Sequence, residues 1–404
     1  MTTRSDIRFL DRRTPPHILT LVLLAGLSAL AMNVFLPSLP RMTEHFATDY
    51  AVMQLSVSLY LAGNAVLQIL IGPISDRFGR RPVLLGSIVL FLLATIGTLL
   101  ASSIEMFLVF RMCQAVIVAA MVLSRAVVRD MVDEAEAASM IGYVTMGMAI
   151  VPMLGPMLGG VLDELFGWEA NFVVLFLCGA LVLLLTWSDL GETATRRPSS
   201  FGAQLREYPE LLTARRFWGY CLAAAFASGS FFAFLGGAPF VGTQVFGLSP
   251  AVLGLYFGAP AVGYAFGNYL SGRLSTRFGV NRMVLWGTLI TLGGLIALIL
   301  VYAAGLQIAA VFFGFFVFVG IGNGMVLPNA TAGMLSVRPQ LAGSASGLGG
   351  AIMIGGGAGV AALAGTLLQP GTGPWPLLVI MIVTALAAVV SILYVIRREK
   401  AVGR

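Results

Sequence analysis

The dominant pattern along the chain is a succession of long apolar runs separated by short segments rich in arginine, glycine and proline. Lipid offers backbone amides no partner, so only helices or closed barrels cross it. A helix needs about 20 apolar residues to cross roughly 30 Å of hydrocarbon. Twelve runs have that length, at about 17–40, 51–72, 82–102, 104–126, 138–162, 169–188, 216–238, 249–271, 282–303, 306–331, 341–368 and 374–396. No alternating segments of about ten residues, the mark of an outer-membrane barrel, interrupt them. The run from Leu19 to Leu39 is too long for the core of a signal peptide and is expected to remain as the first span. The pattern therefore predicts an all-α integral membrane protein with twelve transmembrane helices, numbered here as spans 1 to 12.

Composition agrees. The 404 residues are 58% hydrophobic and only 10% charged, against about 25% charged in a soluble domain. The net charge of +6 would suggest nucleic acid in a soluble protein, but here the placement of the cations matters more, and no nucleic-acid partner is expected. Arg4, Arg8, Arg12 and Arg13 precede span 1. Arg77, Arg80 and Arg81 follow span 2, Arg125 and Arg129 end span 4, and Arg196, Arg197, Arg206, Arg215 and Arg216 lie in the central segment. Arg273, Arg277 and Arg282 follow span 8, Arg338 follows span 10, and Arg397, Arg398, Lys400 and Arg404 form the tail. All fall on one face, which the positive-inside rule assigns to the cytoplasm together with both termini. Arg41 alone lies on the other. Cys113, Cys178 and Cys221 sit in apolar runs without metal or redox spacing, and are expected to be small buried hydrophobes.

The longest polar stretch, 189–215, divides the chain into a first six-span bundle (1–188), a cytoplasmic linker (189–215) and a second bundle (216–404). A repeat supports the division: "GPISDRFGRR" at 72–81 and "GRLSTRFGVN" at 272–281 match at Gly72/Gly272, Ser75/Ser275, Arg77/Arg277, Phe78/Phe278 and Gly79/Gly279, and Gly63 and Gly263 keep the same register. Two pseudo-symmetric six-helix bundles follow.

In "GPISDRFGRRP", Gly72 and Gly79 suit a tight turn, while Asp76 can cap the next helix or pair with an arginine. On composition alone this is equally a Gly-rich, positively charged loop. The stretch resembles the loop between spans 2 and 3 of major facilitator transporters, Gly-x-x-x-Asp-Arg-x-Gly-Arg-Arg, at all six positions. The pseudo-two-fold arrangement of halves is itself the known case of that superfamily. The resemblance implies a cytoplasmic latch of Gly72, Asp76, Arg77, Gly79, Arg80 and Arg81 with Arg129 and Asp130 at the end of span 4. The second copy carries Thr276 in place of Asp76, so the latch is one-sided.

Span 5 contains "GMAIVPMLGPMLGG". Pro152 and Pro156 each remove a helix hydrogen bond, and Gly147, Gly155, Gly159 and Gly160 allow close packing. Small-residue packing is one reading; the stretch also resembles the Gly-Pro-x-x-Gly-Gly motif that marks exporters in the superfamily. "MNVFLPSLPRM", "RMCQAVIVAAMVLSRAVVRD" and "FGWEANF" are similar to the Bcr/CflA drug-resistance branch of the twelve-span drug:proton antiporters. Two positions depart from it: that branch commonly has aspartate at Asn33 and arginine at Glu169.

Arg111 lies roughly 10 Å below the outer boundary, counting 1.5 Å per residue from Ile104. A central arginine costs about 2.5–3.5 kcal/mol on insertion scales. It is either satisfied by carbonyls in a crowded helix interface or faces a cavity where it binds substrate or senses a partner's protonation. The stripe Gln114, Val118 and Arg125 and the resemblance to the family's span 4 arginine favour the cavity. No carboxylate lies deep in any span, and none occurs from 211 to 398. Proton antiport commonly relies on a buried acid. Coupling here would fall to a boundary acid such as Glu105, Asp163 or Glu164, to His45, or to the substrate's own ionisation, or be absent.

Asn33, Tyr60, Asn64, Gln68, Arg111, Gln114, Phe231, Phe232, Phe234, Tyr256, Tyr264 and Asn323 are the candidate cavity residues. Each aromatic alone is ordinary packing; together they suit a neutral, zwitterionic or weakly acidic amphiphile rather than a quaternary cation. The expected function is secondary export of small amphiphilic compounds by alternating access, proton-coupled without a central carboxylate. Export of an endogenous metabolite such as a siderophore or peptide, or uncoupled facilitation or import, are the alternatives. The expected partners are a small-molecule substrate, the lipid bilayer and protons, for a monomer in a bacterial inner membrane. No span carries a catalytic cluster or metal-spaced set, and no phosphate-binding loop occurs, so neither enzyme activity, cofactor nor metal is expected.

Overall fold

The computed structural model describes residues 8–131, 140, 144, 151, 154–193, 209–338 and 341–401, without the side chains of 129 and 342–344. Every regular element among them is helical. Ten of these helices are long and apolar enough to cross a membrane, from Ile18–His45 at one end to Trp375–Ala401 at the other. Span 8 is formed by Pro250–Tyr256 and Gly258–Phe278. Of span 5 the described residues 154–166 are helical. With these two, the described residues are consistent with twelve helices in two six-helix bundles.

Several helices run past their apolar stretches. Span 2 occupies Tyr50–Phe78 and span 3 starts at Arg80, so Gly79 alone makes the turn, at φ +96°. Each added turn satisfies its own backbone in water as in lipid, so the edge of the apolar run does not stop a helix. The second copy repeats this: span 8 ends at Phe278, Gly279 turns at φ +81°, and Val280–Ala303 follows. Gly79 and Gly279 donate to the Ser75 and Ser275 carbonyls, both at 2.9 Å. Gly72 is not part of the turn. It lies within the span 2 helix with nothing within 4 Å of where a Cβ would stand, and Asp76, in the last turn of that helix, pairs with Arg80.

Breaks fall at defined points. Span 1 runs Ile18–Asn33, tightens into a 3-10 turn at Leu36–Ser38, and resumes as Leu39–His45, with prolines at the first turns of the later pieces. Span 4 is interrupted by a 3-10 turn at Ala115–Ile117, directly after Arg111 and Gln114.

Both described chain ends lie on one face. Asp189, at the end of span 6, accepts from Leu10 N (2.8 Å), His17 N (2.9 Å) and Thr20 Oγ1 (2.5 Å). Glu399 accepts from Arg216 (2.5 Å) and Tyr220 (3.2 Å) and is bonded by Asn281. We call this the terminal face and its opposite the far face.

Within each bundle, glycines set the closest approaches. Gly63 packs on Ala115, joining spans 2 and 4; its counterpart Gly263 lies against the Val317 carbonyl, joining spans 8 and 10. Without a hydrophobic drive between helices in lipid, close van der Waals contact of this kind holds them. One expectation is corrected: Cys221 is buried and Cys178 half-buried, but Cys113 points outward from span 4 and is exposed.

Candidate substrate site and the seal beside it

The break in span 1 determines how Arg111 is held. The last turn of a helix leaves carbonyls without intrahelical partners, and Ala31 lies in that turn. Arg111 donates Nη2 to the Ala31 carbonyl (2.8 Å), Nη1 to Gln114 Oε1 (2.8 Å) and Nε to the Ser56 carbonyl (3.4 Å). Its guanidinium carbon lies 4.3 Å from the Phe35 ring centroid and 4.0 Å from that of Tyr60. Gln114 in turn donates to Thr95 Oγ1 at 2.8 Å. One buried cation thereby ties spans 1, 2, 3 and 4. Two aromatic faces, two carbonyls and an amide stand where a carboxylate would otherwise be required. Arg111 is 1% exposed, so in this conformation it is enclosed by helices and does not face an open cavity.

The other candidate residues divide. Asn33, Tyr60, Asn64, Gln114, Phe234 and Asn323 are buried, while Phe231 and Tyr256 are half-buried. Asn33 Oδ1, Tyr60 Oη and Asn323 Oδ1 have no hydrogen-bond partner among the described residues, although Asn33 Nδ2 donates to Ala29 and Asn323 Nδ2 to Val319. Asn64 accepts from Gln68 at 3.0 Å. Phe234 is core rather than wall: its ring meets Phe257 at 5.0 Å and Phe316 at 4.7 Å, and stacks near Phe231 at 6.4 Å. Tyr256 stacks on Phe313 at 5.0 Å and 18°. Spans 7, 8 and 10 therefore share one aromatic cluster around Phe234, to which Phe257, Phe313 and Phe316, absent from the sequence candidates, also belong.

Gln54 was not among the candidates. It is fully buried, neither of its amide atoms has a partner, and it fits against Gly236 of span 7 and Gly365 of span 11. Its neighbour Tyr50 donates to the Gly236 carbonyl at 2.8 Å. A glutamine one turn into a helix gives no signal in sequence; the glycines opposite it, in the other bundle, make the site.

On the terminal face Arg80 is the hub of the contacts among the expected latch residues. It pairs with Asp76 (2.5 Å) and Asp130 (3.1 Å) and bonds Ser75 Oγ. Glu192, unforeseen, accepts from Arg80 N (2.8 Å) and Arg81 N (3.3 Å), capping span 3 from the central segment. Arg81 donates to the Leu190 carbonyl (2.8 Å) and lies 5.0 Å from the Trp187 ring. Arg77 is exposed beside Phe78. The side chain of Arg129 lies outside the described residues.

On the far face the span 5 glycines seal the bundles together. Gly155 adjoins Leu30 and Asn33, and a Cβ on Gly159 would overlap the Val34 carbonyl. One on Gly160 would overlap the Pro250 carbonyl in span 8, and Gly254 of span 8 sits against the carbonyl of Pro156. Gly147 and Pro152 lie outside the described residues.

Comparison with known proteins agrees with this architecture. The description Major Facilitator Superfamily matches residues 21–362 and 243–404. A chloramphenicol resistance protein of Pseudomonas aeruginosa is 32% identical over 382 residues, covering 93% of this chain and 88% of that protein. A bicyclomycin resistance protein homolog of Haemophilus influenzae is 27% identical over 361 residues, covering 88% and 90%. Among solved structures, a bacterial homolog of the human lysosomal transporter Spinster, inward-facing and occupied, superposes with a TM-score of 0.71 at 18% identity over 95% of this chain and 96% of that one. This chain belongs to the major facilitator superfamily, with relatives of the Bcr/CflA drug-resistance type, and is a multi-pass membrane transporter of small molecules rather than an enzyme.

Proposed function

We propose that the protein is a secondary exporter of small amphiphilic organic compounds, antibiotics among them, working by alternating access of the bundles 1–188 and 216–404 about the linker 189–215. The carrying observation is a set of buried polar atoms without partners among the described residues, Asn33 Oδ1, Tyr60 Oη and the Gln54 amide, in spans whose interior holds a cation and no carboxylate. Buried polar groups left unpaired are costly, and a ligand's donors and acceptors can relieve that cost. The printed names of the two resistance proteins support antibiotics as substrates. Arg111 fixes Tyr60 and the broken end of span 1, and disfavours cations. Phe231, Tyr256 and Asn323 supply the opposing wall from the second bundle.

The span 5 glycines, lying between span 1 and span 8, support export. Arg77, Arg80 and Arg81 on the terminal face support a cytoplasmic location for both ends, in a bacterial inner membrane, as a monomer. Coupling to protons proceeds without a central acid. The test is directional flux of chloramphenicol in proteoliposomes with and without an imposed pH gradient. Outward movement driven by the gradient is expected; equal rates in both directions, independent of the gradient, would indicate a facilitator instead.

A further inference from the structure

Among the described residues one acid is both enclosed and incompletely paired. Asp163, near the far-face end of span 5, has a fully buried side chain. Its Oδ1 lies 3.3 Å from Arg41 Nη1, and that nitrogen also donates to the Asp163 carbonyl at 2.8 Å. Asp163 Oδ2 accepts no hydrogen bond from the described residues. Arg41, the one cation on the far face among the described residues, is thereby explained: it is an ion-pair partner, 46% exposed, reaching in from solvent to a buried carboxylate.

The surroundings make this acid part of the seal. Three residues earlier Gly160 abuts Pro250 of the second bundle, and the next residue, Glu164, accepts from Ala251 N at 3.3 Å. Span 1 contributes Arg41 and the Ser38 hydroxyl, with Glu44 and His45 on the same short helix. Span 6 contributes Glu169 and Asn171; Asn171 donates to Ser38 at 2.9 Å and its own Oδ1 is unpaired. Span 8 brings no ionisable group to the contact in Pro250–Tyr256 except Tyr256. A half-satisfied buried carboxylate is unfavourable as an anion and tolerable as an acid.

We propose that Asp163 is a proton-binding site of the far-face seal, protonated while the seal is closed and ionised against Arg41 when it opens. The inference rests on the alternating-access reading above. Opening parts Gly160 from Pro250 and lets water reach the carboxyl. The proton leaves to that water, no other bond breaks, and the anion is held by Arg41. The sign follows. The closed state, which encloses the half-paired carboxyl, binds the proton more tightly, so closure is favoured as the far-side pH falls and lost as it rises.

Nitroxide labels at Val161→Cys and Val252→Cys, both near two-fifths exposed on opposite sides of the seal, report its opening in proteoliposomes when Cys113, Cys178 and Cys221 are replaced. Pulsed distance measurements spanning about pH 5 to 8 are expected to show the short distance gaining population as pH falls. Asp163→Asn should hold the short distance at every pH, Asp163→Glu should restore a transition, and Arg41→Gln should move its midpoint to higher pH. An Asp163→Asn profile matching the unmodified protein overturns the inference, as does a distance that responds to added chloramphenicol but not to pH. If Asp163→Asn does not fold, an unmoved midpoint in Arg41→Gln overturns it. A distance that answers to neither ligand nor pH removes the alternating-access reading, and the inference with it.

Discussion

The two bundles share one helical plan but are held together by different chemistry. In the first, a buried arginine joins spans 1 to 4 and a second arginine joins Asp76 to Asp130. In the second, the corresponding layer is a cluster of phenylalanines around Phe234, and the turn at Gly279 carries no acid. Charge-based contacts are directional and can be exchanged for others; packed rings are neither. We propose that the switching elements lie in the first bundle, against a second whose interior is packed rings and whose Arg216–Glu399 pair sits at the terminal face.

The largest expected effect tests the seal between them. Gly160→Val places carbon on the Pro250 carbonyl and should abolish transport and reduce folded yield, because backbone cannot move aside as a side chain can. Next, Arg111→Ala strands the Gln114 amide and two carbonyls and leaves a hole between Phe35 and Tyr60. A loss on the order of 3 kcal/mol is expected, read as thermal stability in detergent, with transport lost. Arg111→Lys should not rescue it, since an ammonium lacks the planar fork. Phe234→Ala should destabilise about as much, about 3–5 kcal/mol, yet leave any pH dependence of flux unchanged; a changed pH profile would break the assignment of switching to the first bundle.

A smaller effect separates the two turns. Asp76→Asn weakens a partly exposed pair worth about 1 kcal/mol or less, enough to slow transport a few-fold. Thr276→Asp should do nothing, because Val280 and Asn281 stand where Arg80 and Arg81 stand in the first copy. Smallest, Gly72→Ala and Gly272→Ala meet open space inside helices and should leave transport intact while adding up to about 1 kcal/mol of stability.

Span count, helix ends to within several residues and the 200-residue repeat were all legible in sequence, because lipid imposes one length and one hydrogen-bonding rule on every span. The shared turn at Gly79 and Gly279 needed no more than local pattern. What depends on partners from distant spans was not legible. Arg111 gave its depth away but not its neighbours, since the Ala31 carbonyl is released only by the break in span 1. Gln54, Glu192 and the Arg41–Asp163 pair are polar residues with unremarkable surroundings in the chain, and each acquires its role from a helix far away in sequence.

The central claim is that a site with a buried cation and no interior carboxylate takes neutral rather than cationic amphiphiles. Accumulation in inside-out vesicles of chloramphenicol against a quaternary ammonium dye, at matched concentration, tests it most directly. Energised vesicles are predicted to concentrate chloramphenicol and to leave the dye at background. Stronger accumulation of the dye would contradict it.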